Sequence, residues 1–179
     1  MFDTVIRFFR DRKLRKHISP LETGLVPFSE IRTVNAVIDV EENGFELLKE
    51  DIIAWGRANG LKVNIYFFDF RKLGKDELLL TTIDKTLIRK GLDWLGTPNV
   101  EKISPLLEEK SDLFISMIDN GDFPIEFISK CIRARFKVGR HAFPGDAYDM
   151  VVSGSSTGDL RSDSRHIFAE ITEFLQKVK

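Results

Sequence analysis

The chain has 179 residues, which is enough for one domain with a buried core. Hydrophobic residues make up 42% of it and charged residues 31%, a balance that is typical of globular domains and excludes a disordered chain. The net charge is −1, and no apolar run is long enough to cross a bilayer.

The location of the protein is predicted from features that the sequence lacks. The chain does not begin with an apolar stretch followed by small residues, which would mark a secretory signal. The single cysteine, Cys131, cannot form a disulfide within the chain and lies in an apolar helical run, so we expect it in the core. Both observations predict a reducing compartment and a cytoplasmic protein.

The first predicted element is a basic amphipathic helix over residues 2–16. Its predicted apolar face consists of Phe2, Val5, Ile6 and Phe9. The first 17 residues carry a net charge of +4, because they hold six basic and two acidic side chains, whereas the rest of the chain carries −5. The six basic residues are Arg7, Arg10, Arg12, Lys13, Arg15 and Lys16. The apolar face either packs on the rest of the domain or binds another molecule, and the sequence leaves both alternatives open.

A loop or linker is predicted after this helix. Residues 17–30 contain Pro20, Gly24 and Pro27, which interrupt regular secondary structure. The predicted organisation is therefore a basic helix with its linker, residues 1–30, followed by a single α/β domain, residues 31–179.

The α/β domain is predicted to begin with a strand, a helix and a second strand. Residues 34–40 form a nearly unbroken β-favouring run, which is typical of a strand buried on both faces. The apolar stripe of the following helix consists of Phe45, Leu48, Ile52 and Trp55. Gly60 is suited to end this helix, and residues 61–68 predict the second strand. The short connections predict a right-handed βαβ unit with parallel strands.

Later elements repeat the alternation of strand and helix. Further strands are predicted at residues 82–88, 113–118, 135–138 and 148–152. Asp122 is expected to cap a helix between the second and third of these, and a last helix ends the chain. The predicted fold class is α/β with three layers: a mostly parallel, Rossmann-like sheet with helices on both faces, plus the N-terminal basic helix.

Several standard sites have no counterpart in the sequence. The turn after the first predicted strand contains Glu41 and Glu42 instead of a glycine-rich fingerprint, and two carboxylates would repel a pyrophosphate. No phosphate-binding loop of nucleotide triphosphatases and no nucleophile elbow of hydrolases is present. The three histidines, His17, His141 and His166, have no metal-ligand spacing. We therefore expect no cofactor and no metal.

Three loops after predicted strands are candidate binding sites, because open α/β sheets bind ligands at the carboxyl ends of their strands. The candidate ligand-binding residues are Asp119, Asn120, Arg140, His141, Ser155, Ser156 and Thr157. The first loop opens a helix, the second joins an arginine to a histidine, and the third has small residues that let backbone N–H groups approach an anion. Each pattern also fits a structural role, as a helix cap, a solvated surface histidine or a solvated loop.

Four stretches carry a resemblance to known proteins: residues 93–98, 112–115, 136–139 and 148–152. With the basic start, they resemble an uncharacterised family of small bacterial α/β proteins, a domain of unknown function. This resemblance implies the fold and supplies no activity. The order of strand, helix and short strand is also distantly similar to the N-terminal half of heptosyltransferase-like glycosyltransferases. Since those enzymes need a second half, this similarity implies the fold and argues against complete glycosyltransferase activity.

The sequence favours a non-catalytic cytoplasmic interaction module whose contact element is the basic helix. The expected partner is a protein or a second copy of the chain, and nucleic acid and an anionic membrane surface are further alternatives. The alternative function is an enzyme that binds a sugar phosphate or a nucleotide-like ligand at the carboxyl ends of the strands. A pocket where the three loops converge favours the enzyme, and an exposed apolar or basic patch near residues 2–16 favours the module.

Overall fold

The computed structural model describes residues 2–74, 78–154 and 163–179 of the chain. Within these residues, the strands are β1 (Thr33–Asp39), β2 (Lys62–Asp69), β3 (Thr86–Ile88), β4 (Ser111–Ser116), β5 (Ala134–Gly139) and β6 (Met150–Val151). They form one sheet in the order β3-β2-β1-β4-β5-β6, and every neighbouring pair is parallel. The predicted α/β class with a parallel, Rossmann-like sheet is confirmed.

The helices of the described residues lie on both faces of this sheet. They are α1 (Phe2–His17), α2 (Phe45–Ala58), α3 (Val100–Glu108), α4 (Phe123–Cys131) and α5 (Ser164–Lys177). Helices α2 and α5 cover one face, and α3 and α4 cover the other, with α1 packed against α4. Right-handed crossovers that run in opposite directions across the sheet place their helices on opposite faces. None of the described helices has the length and apolar character needed to cross a membrane.

The direction of strand addition reverses between β1 and β4. The chain first adds β2 and β3 on one side of β1, and then returns to add β4, β5 and β6 on the other side. Val34 of β1 lies beside Val63 of β2 and Leu113 of β4. Because the connections of the two halves leave the sheet in opposite directions, a crevice opens at the carboxyl ends of β1 and β4.

Alternating side chains of β1 divide the core into two layers. Ala36 and Ile38 belong to the cluster that includes Ile52 of α2 and Ile171 of α5. Val37 points the other way, into the cluster formed with α3 and α4. The central strand is therefore buried on both faces, which explains its unbroken apolar sequence.

Two elements between β2 and β4 differ from the sequence prediction. Only the end of the strand predicted at residues 82–88 pairs with β2, because residues 83–85 form a 3₁₀ turn. Helix α3 has no predicted counterpart. Its cap is Asn99, whose side chain accepts a hydrogen bond from the backbone N–H of Lys102, while Pro105 interrupts the hydrogen bonding inside the helix.

A buried polar group lies between β5 and α4. Lys137 Nζ donates to the backbone oxygen of Ser129 at 2.9 Å, and the hydroxyls of Ser129 and Tyr148 share a hydrogen bond of 2.6 Å. Burial lowers the pKa of Lys137 to about 8. A Cβ atom at Gly139 would lie 2.3 Å from the Tyr148 ring, so this position requires glycine. Burial raises the pKa of Cys131 to about 12, so its thiol is an unreactive core group, as predicted.

The segment between α1 and β1 is hydrogen-bonded to the rest of the chain. The backbone N–H of Gly24 donates to the oxygen of Arg135 at 2.9 Å, and that of Phe28 donates to the oxygen of Val178 at 3.2 Å. Val26 is buried in the core layer of α2 and α5. These contacts hold the segment against the body, and the division at residue 30 stays a prediction.

Candidate functional site

Helix α1 lies against its own domain through one side. Leu14 joins the core cluster of α4, and Ile6 is half-buried. Arg10 Nε donates to the backbone oxygen of Leu95 at 2.7 Å. The guanidinium of Arg10 also lies 4.6 Å from the centre of the Phe123 ring. A charged side chain therefore occupies the middle of the docked side.

A second cation on the docked side, Lys13, forms an ion pair with Asp93. Burial acts to raise the pKa of Asp93, but hydrogen bonds from Lys13 and from the backbone N–H groups of Thr97 and Leu95 outweigh it and lower the pKa. Two of the six predicted contact cations, Arg10 and Lys13, therefore fasten α1 to the domain. The remaining four are exposed: Arg7, Arg12, Arg15 and Lys16.

The opposite side of α1 leaves apolar side chains in solvent. The exposed fractions are 48% for Val5, 63% for Phe8 and 39% for Phe9. Trp94, in the loop before α3, is 71% exposed, and its ring centre lies 6.2 Å from that of Phe9. The rings of Phe8 and Phe9 are 5.7 Å apart in an edge-to-face arrangement. An exposed aromatic cluster therefore joins α1 to the β3–α3 connection.

Of the predicted apolar face, Ile6 turns to the body, Val5 and Phe9 turn to solvent, and the side chain of Phe2 lies outside the described residues. The predicted apolar face therefore packs on the body only in part. We call the exposed side the α1 surface, defined as Val5, Phe8, Phe9, Arg12, Arg15, Lys16 and Trp94. Positions 5, 8, 9 and 12 follow the spacing of one helix face.

The second candidate region is the crevice at the carboxyl ends of β1 and β4, which we call the switch-point cleft. It has a volume of about 400 Å³. Its lining residues are Asp39, Glu41, Glu42, Asp119, Asn120 and Arg140. Three of the predicted ligand-binding residues thus meet here, because the loops after β4 and β5 lie side by side.

Arg140 lies beneath the cleft and is 4% exposed. Its Nη1 donates to Glu42 Oε1 at 3.1 Å and to Ser164 Oγ at 2.5 Å. The same nitrogen lies 3.2 Å from the backbone oxygen of Met117, and Nη2 donates to Asp119 Oδ2 at 3.4 Å. Arg140 therefore ties the loop after β1, the end of β4 and the start of α5 together.

The switch-point cleft is acidic. Among the described residues, its lining has four carboxylates, from Asp39, Glu41, Glu42 and Asp119, and one cation, that of Arg140. Burial raises the pKa of Asp39, and the negative charges of Glu41, Glu42 and Asp69 raise it further, although a backbone hydrogen bond from Glu41 opposes them. No group of histidine, cysteine or carboxylate side chains in the described ranges is arranged to hold a metal ion. These charges disfavour a phosphate ligand.

The other predicted ligand-binding residues lie elsewhere. The His141 ring packs beside Gly121, where a Cβ atom would lie 2.8 Å from Nε2, and its centre is 5.0 Å from that of Phe143. His141 is not among the described residues that line the switch-point cleft. The remaining candidates, Ser155, Ser156 and Thr157, lie outside the described residues.

Sequence reasoning missed residues in both regions. Trp94 is not among the predicted contact residues, because the sequence prediction limits the contact element to the helix over residues 2–16. Asp39 and Glu42 were not assigned to the site. The signal that identifies them is their position at the end of the first parallel strand, the edge at which Asp119 also lies.

Comparison with known proteins identifies a family. The model of DUF6913, a family of unknown function, matches residues 7–168. The chain belongs to this family. Comparisons with curated proteins and with solved structures gave no match. The DUF6913 match covers all described lining residues of the switch-point cleft and all of the α1 surface except Val5.

Proposed function

We propose that this DUF6913 chain is a binding module that docks on a partner protein through the α1 surface. The observation that carries the proposal is the orientation of α1. Its docked side uses Arg10 and Leu14, whereas Val5, Phe8 and Phe9 stay in solvent. Clustered exposed aromatic side chains are unusual on a monomer and mark interaction surfaces.

The composition of the α1 surface supports a protein as the partner. Aromatic residues and arginine are enriched at protein interfaces and at their energetic hot spots. Val5, Phe8, Phe9 and Arg12 follow the spacing of the anchors that an amphipathic helix lays into a groove. Since Arg15 and Lys16 extend the positive charge, the complementary surface is an apolar groove with acidic side chains at one end.

Other sequence predictions remain part of this proposal. The buried state of Cys131 supports a reducing, cytoplasmic environment. Bacterial origin and the distant similarity to glycosyltransferase halves stay predictions from the sequence.

The alternative function, an enzyme acting on a sugar phosphate or nucleotide-like ligand, has less support. The described lining of the switch-point cleft is acidic, and its one arginine is already hydrogen-bonded within the protein. A phosphate would meet repulsion from Glu41, Glu42 and Asp119 before it reached that arginine. We therefore favour the interaction module.

Photo-crosslinking from the α1 surface tests the proposal. Benzoylphenylalanine in place of Phe9 is expected to crosslink one protein in cells of the native host. The same substitution at Phe174 of α5 is the matched control, because Phe174 is 40% exposed and Phe9 is 39% exposed. The captured protein is then purified, and its affinity for the chain is measured by calorimetry.

Two substitutions examine the contact chemistry with the purified partner. Phe8→Ser and Arg12→Glu are each expected to weaken binding about tenfold or more, the effect of losing a hot-spot side chain. Arg57→Glu, at an exposed site on α2, makes the same charge change and is expected to leave the affinity unchanged. Equal crosslinking from positions 9 and 174, crosslinking to a second copy, or binding to RNA or anionic vesicles that depends equally on Phe8 would overturn the proposal.

A further inference from the structure

A cavity of about 270 Å³ lies between α3 and the strands β2 and β3, on the face opposite α2 and α5. Its apolar walls include Phe68, Leu87, Ile103, Leu106 and Ile128. Protein interiors are close-packed, so an empty space of this size is uncommon. Cavities of about 150 Å³ with similar walls accept a benzene ring, and this cavity holds an apolar group of about ten carbons on that scale.

A polar cleft of about 470 Å³ adjoins the mouth of the cavity. The two spaces share Gly91, Asn99 and Lys102 in their linings, so they meet at the first turn of α3. The N–H groups at the start of a helix carry partial positive charge and favour an anion. Lys90 lies in the polar cleft and Lys85 in the cavity lining, so both extend this positive region.

The side chain of Thr97 is an independent indication of a polar ligand. Thr97 lines the polar cleft and is 4% exposed, and its Oγ1 has no hydrogen-bond partner among the described residues. A buried hydroxyl without a partner is costly, and rotation of the Thr97 side chain toward the cleft would let a bound carboxylate oxygen supply the missing acceptor.

The acidic side chains of the region do not cancel its cations. The negative charge of Asp93 is neutralised by its ion pair with Lys13. Among the described residues of the two linings, three lysines then remain, Lys85, Lys90 and Lys102, against the two carboxylates of Asp84 and Glu101. The excess is positive and lies at the polar end of an apolar cavity.

We propose that the cavity and the polar cleft together bind an amphipathic carboxylate of medium chain length. The alkyl chain fills the space between Leu87 and Leu106, and the carboxylate lies at the start of α3, near Thr97 and Lys102. This site is separate from the α1 surface, so the two proposals can fail independently.

Calorimetric titration of the full chain tests this site, with octanoate below its micelle concentration as the probe. Octanoate is expected to bind with a stoichiometry of one. Butyrate, which lacks most of the chain, and octanol, which lacks the charge, are each expected to bind at least tenfold more weakly. Equal affinity for octanoate and butyrate, or no binding of octanoate at millimolar concentration, would show the proposal to be wrong.

Three variants locate the bound molecule. Lys102→Glu is expected to weaken octanoate binding at least tenfold, whereas Lys110→Glu, an exposed site beyond α3, is expected to have no effect. Thr97→Val keeps the shape of the side chain and removes only the hydroxyl, so a severalfold loss of octanoate affinity with unchanged octanol affinity supports the placement. Equal effects of the two lysine variants, or no effect of Thr97→Val, would refute it. All three sites lie outside the apolar walls, and circular dichroism checks that each variant is folded.

Discussion

The α1 surface and the switch-point cleft use charge in opposite ways. In the cleft, the charged groups bond to one another: Arg140 is buried and donates to Glu42, Ser164 and Asp119. On the α1 surface, Arg12 stays in solvent beside exposed aromatic rings. Both regions contain the residue types that binding sites require.

The difference shows that a residue type identifies a binding site only when its bonding capacity is still available. Arg140 has the fold position of a ligand-binding arginine, but the protein itself supplies its acceptors. The α1 surface has the opposite property, because its apolar area has no cover within the described chain. Polar groups whose hydrogen bonds are already made within the fold are therefore not available to a ligand.

The largest effect is expected from Arg140→Met. Removal of this cation leaves Glu42 and Asp119 without their partner and should lower the free energy of unfolding by about 3 to 4 kcal/mol. Arg135→Met is the matched control, because Arg135 also pairs with two carboxylates, those of Glu30 and Asp112, but is exposed. Urea unfolding measures both variants. Equal losses, or no loss for Arg140→Met, would contradict a structural role for Arg140.

A second contrast concerns Lys137, a cation held inside the body instead of on its surface. Its pKa is about 8 in the folded protein, below the ordinary 10.5, because burial disfavours the charged form. At this lysine the unfolded chain therefore binds more protons between pH 8 and 10.5, and the contribution of Lys137 to stability should rise with pH across this window by about 3 kcal/mol. The raised pKa of Cys131 acts in the opposite direction above about pH 9 in both proteins, so the quantity to compare is the difference between them. Urea unfolding is expected to show the native chain gaining about 3 kcal/mol relative to Lys137→Met between pH 8 and 10.5. The same pH profile for both proteins would be the contrary result.

A smaller effect, on the local stability of α1, is expected from a substitution on its docked side. Arg10→Ala removes the hydrogen bond to Leu95 and the contact with the Phe123 ring. Hydrogen exchange of the α1 amides should then report a loss of about 1 to 2 kcal/mol in local protection. Arg7→Ala, on the same helix but exposed, is expected to leave the exchange unchanged. If both variants behave alike, Arg10 does not fasten the helix.

The smallest effect on stability is expected at the α1 surface itself. Phe8→Ser should change the free energy of unfolding by less than about 0.5 kcal/mol, because the side chain is already in solvent. Phe123→Ala, at a buried ring, should cost about 3 kcal/mol. Thermal and urea unfolding measure both. A large destabilisation by Phe8→Ser would mean that this ring is part of the core and would remove the basis for a docking surface.

Much of the fold follows from the sequence, because its strongest patterns are local. The apolar run of β1 and the stripe with Leu48 and Ile52 predict the first βαβ unit correctly. Helix α3 escapes prediction because it has nine residues and Pro105 in its interior, which leaves few periodic positions. The order of the strands cannot be predicted either, because a βαβ connection does not determine on which side of the existing strands the next strand is added.

The candidate regions were predictable only in part. Asp119, Asn120 and Arg140 could be placed together, because parallel strands bring their carboxyl ends to one edge of the sheet. That Arg140 would be buried under Glu42 and Ser164 depends on a contact between distant segments, which no local pattern encodes. The face that α1 presents to solvent could not be predicted either. Helical periodicity assigns docked positions to apolar residues, but the aliphatic part of an arginine side chain can also occupy such a position.

The ring of Tyr148 occupies the volume that any side chain at position 139 would need. Because its hydroxyl is bonded to Ser129, the ring cannot swing aside without leaving a buried polar atom unsatisfied. Position 139 can therefore depart from glycine only when position 148 becomes smaller at the same time. Within the family, the residues at positions 139 and 148 are therefore expected to covary: either both are kept or both are exchanged.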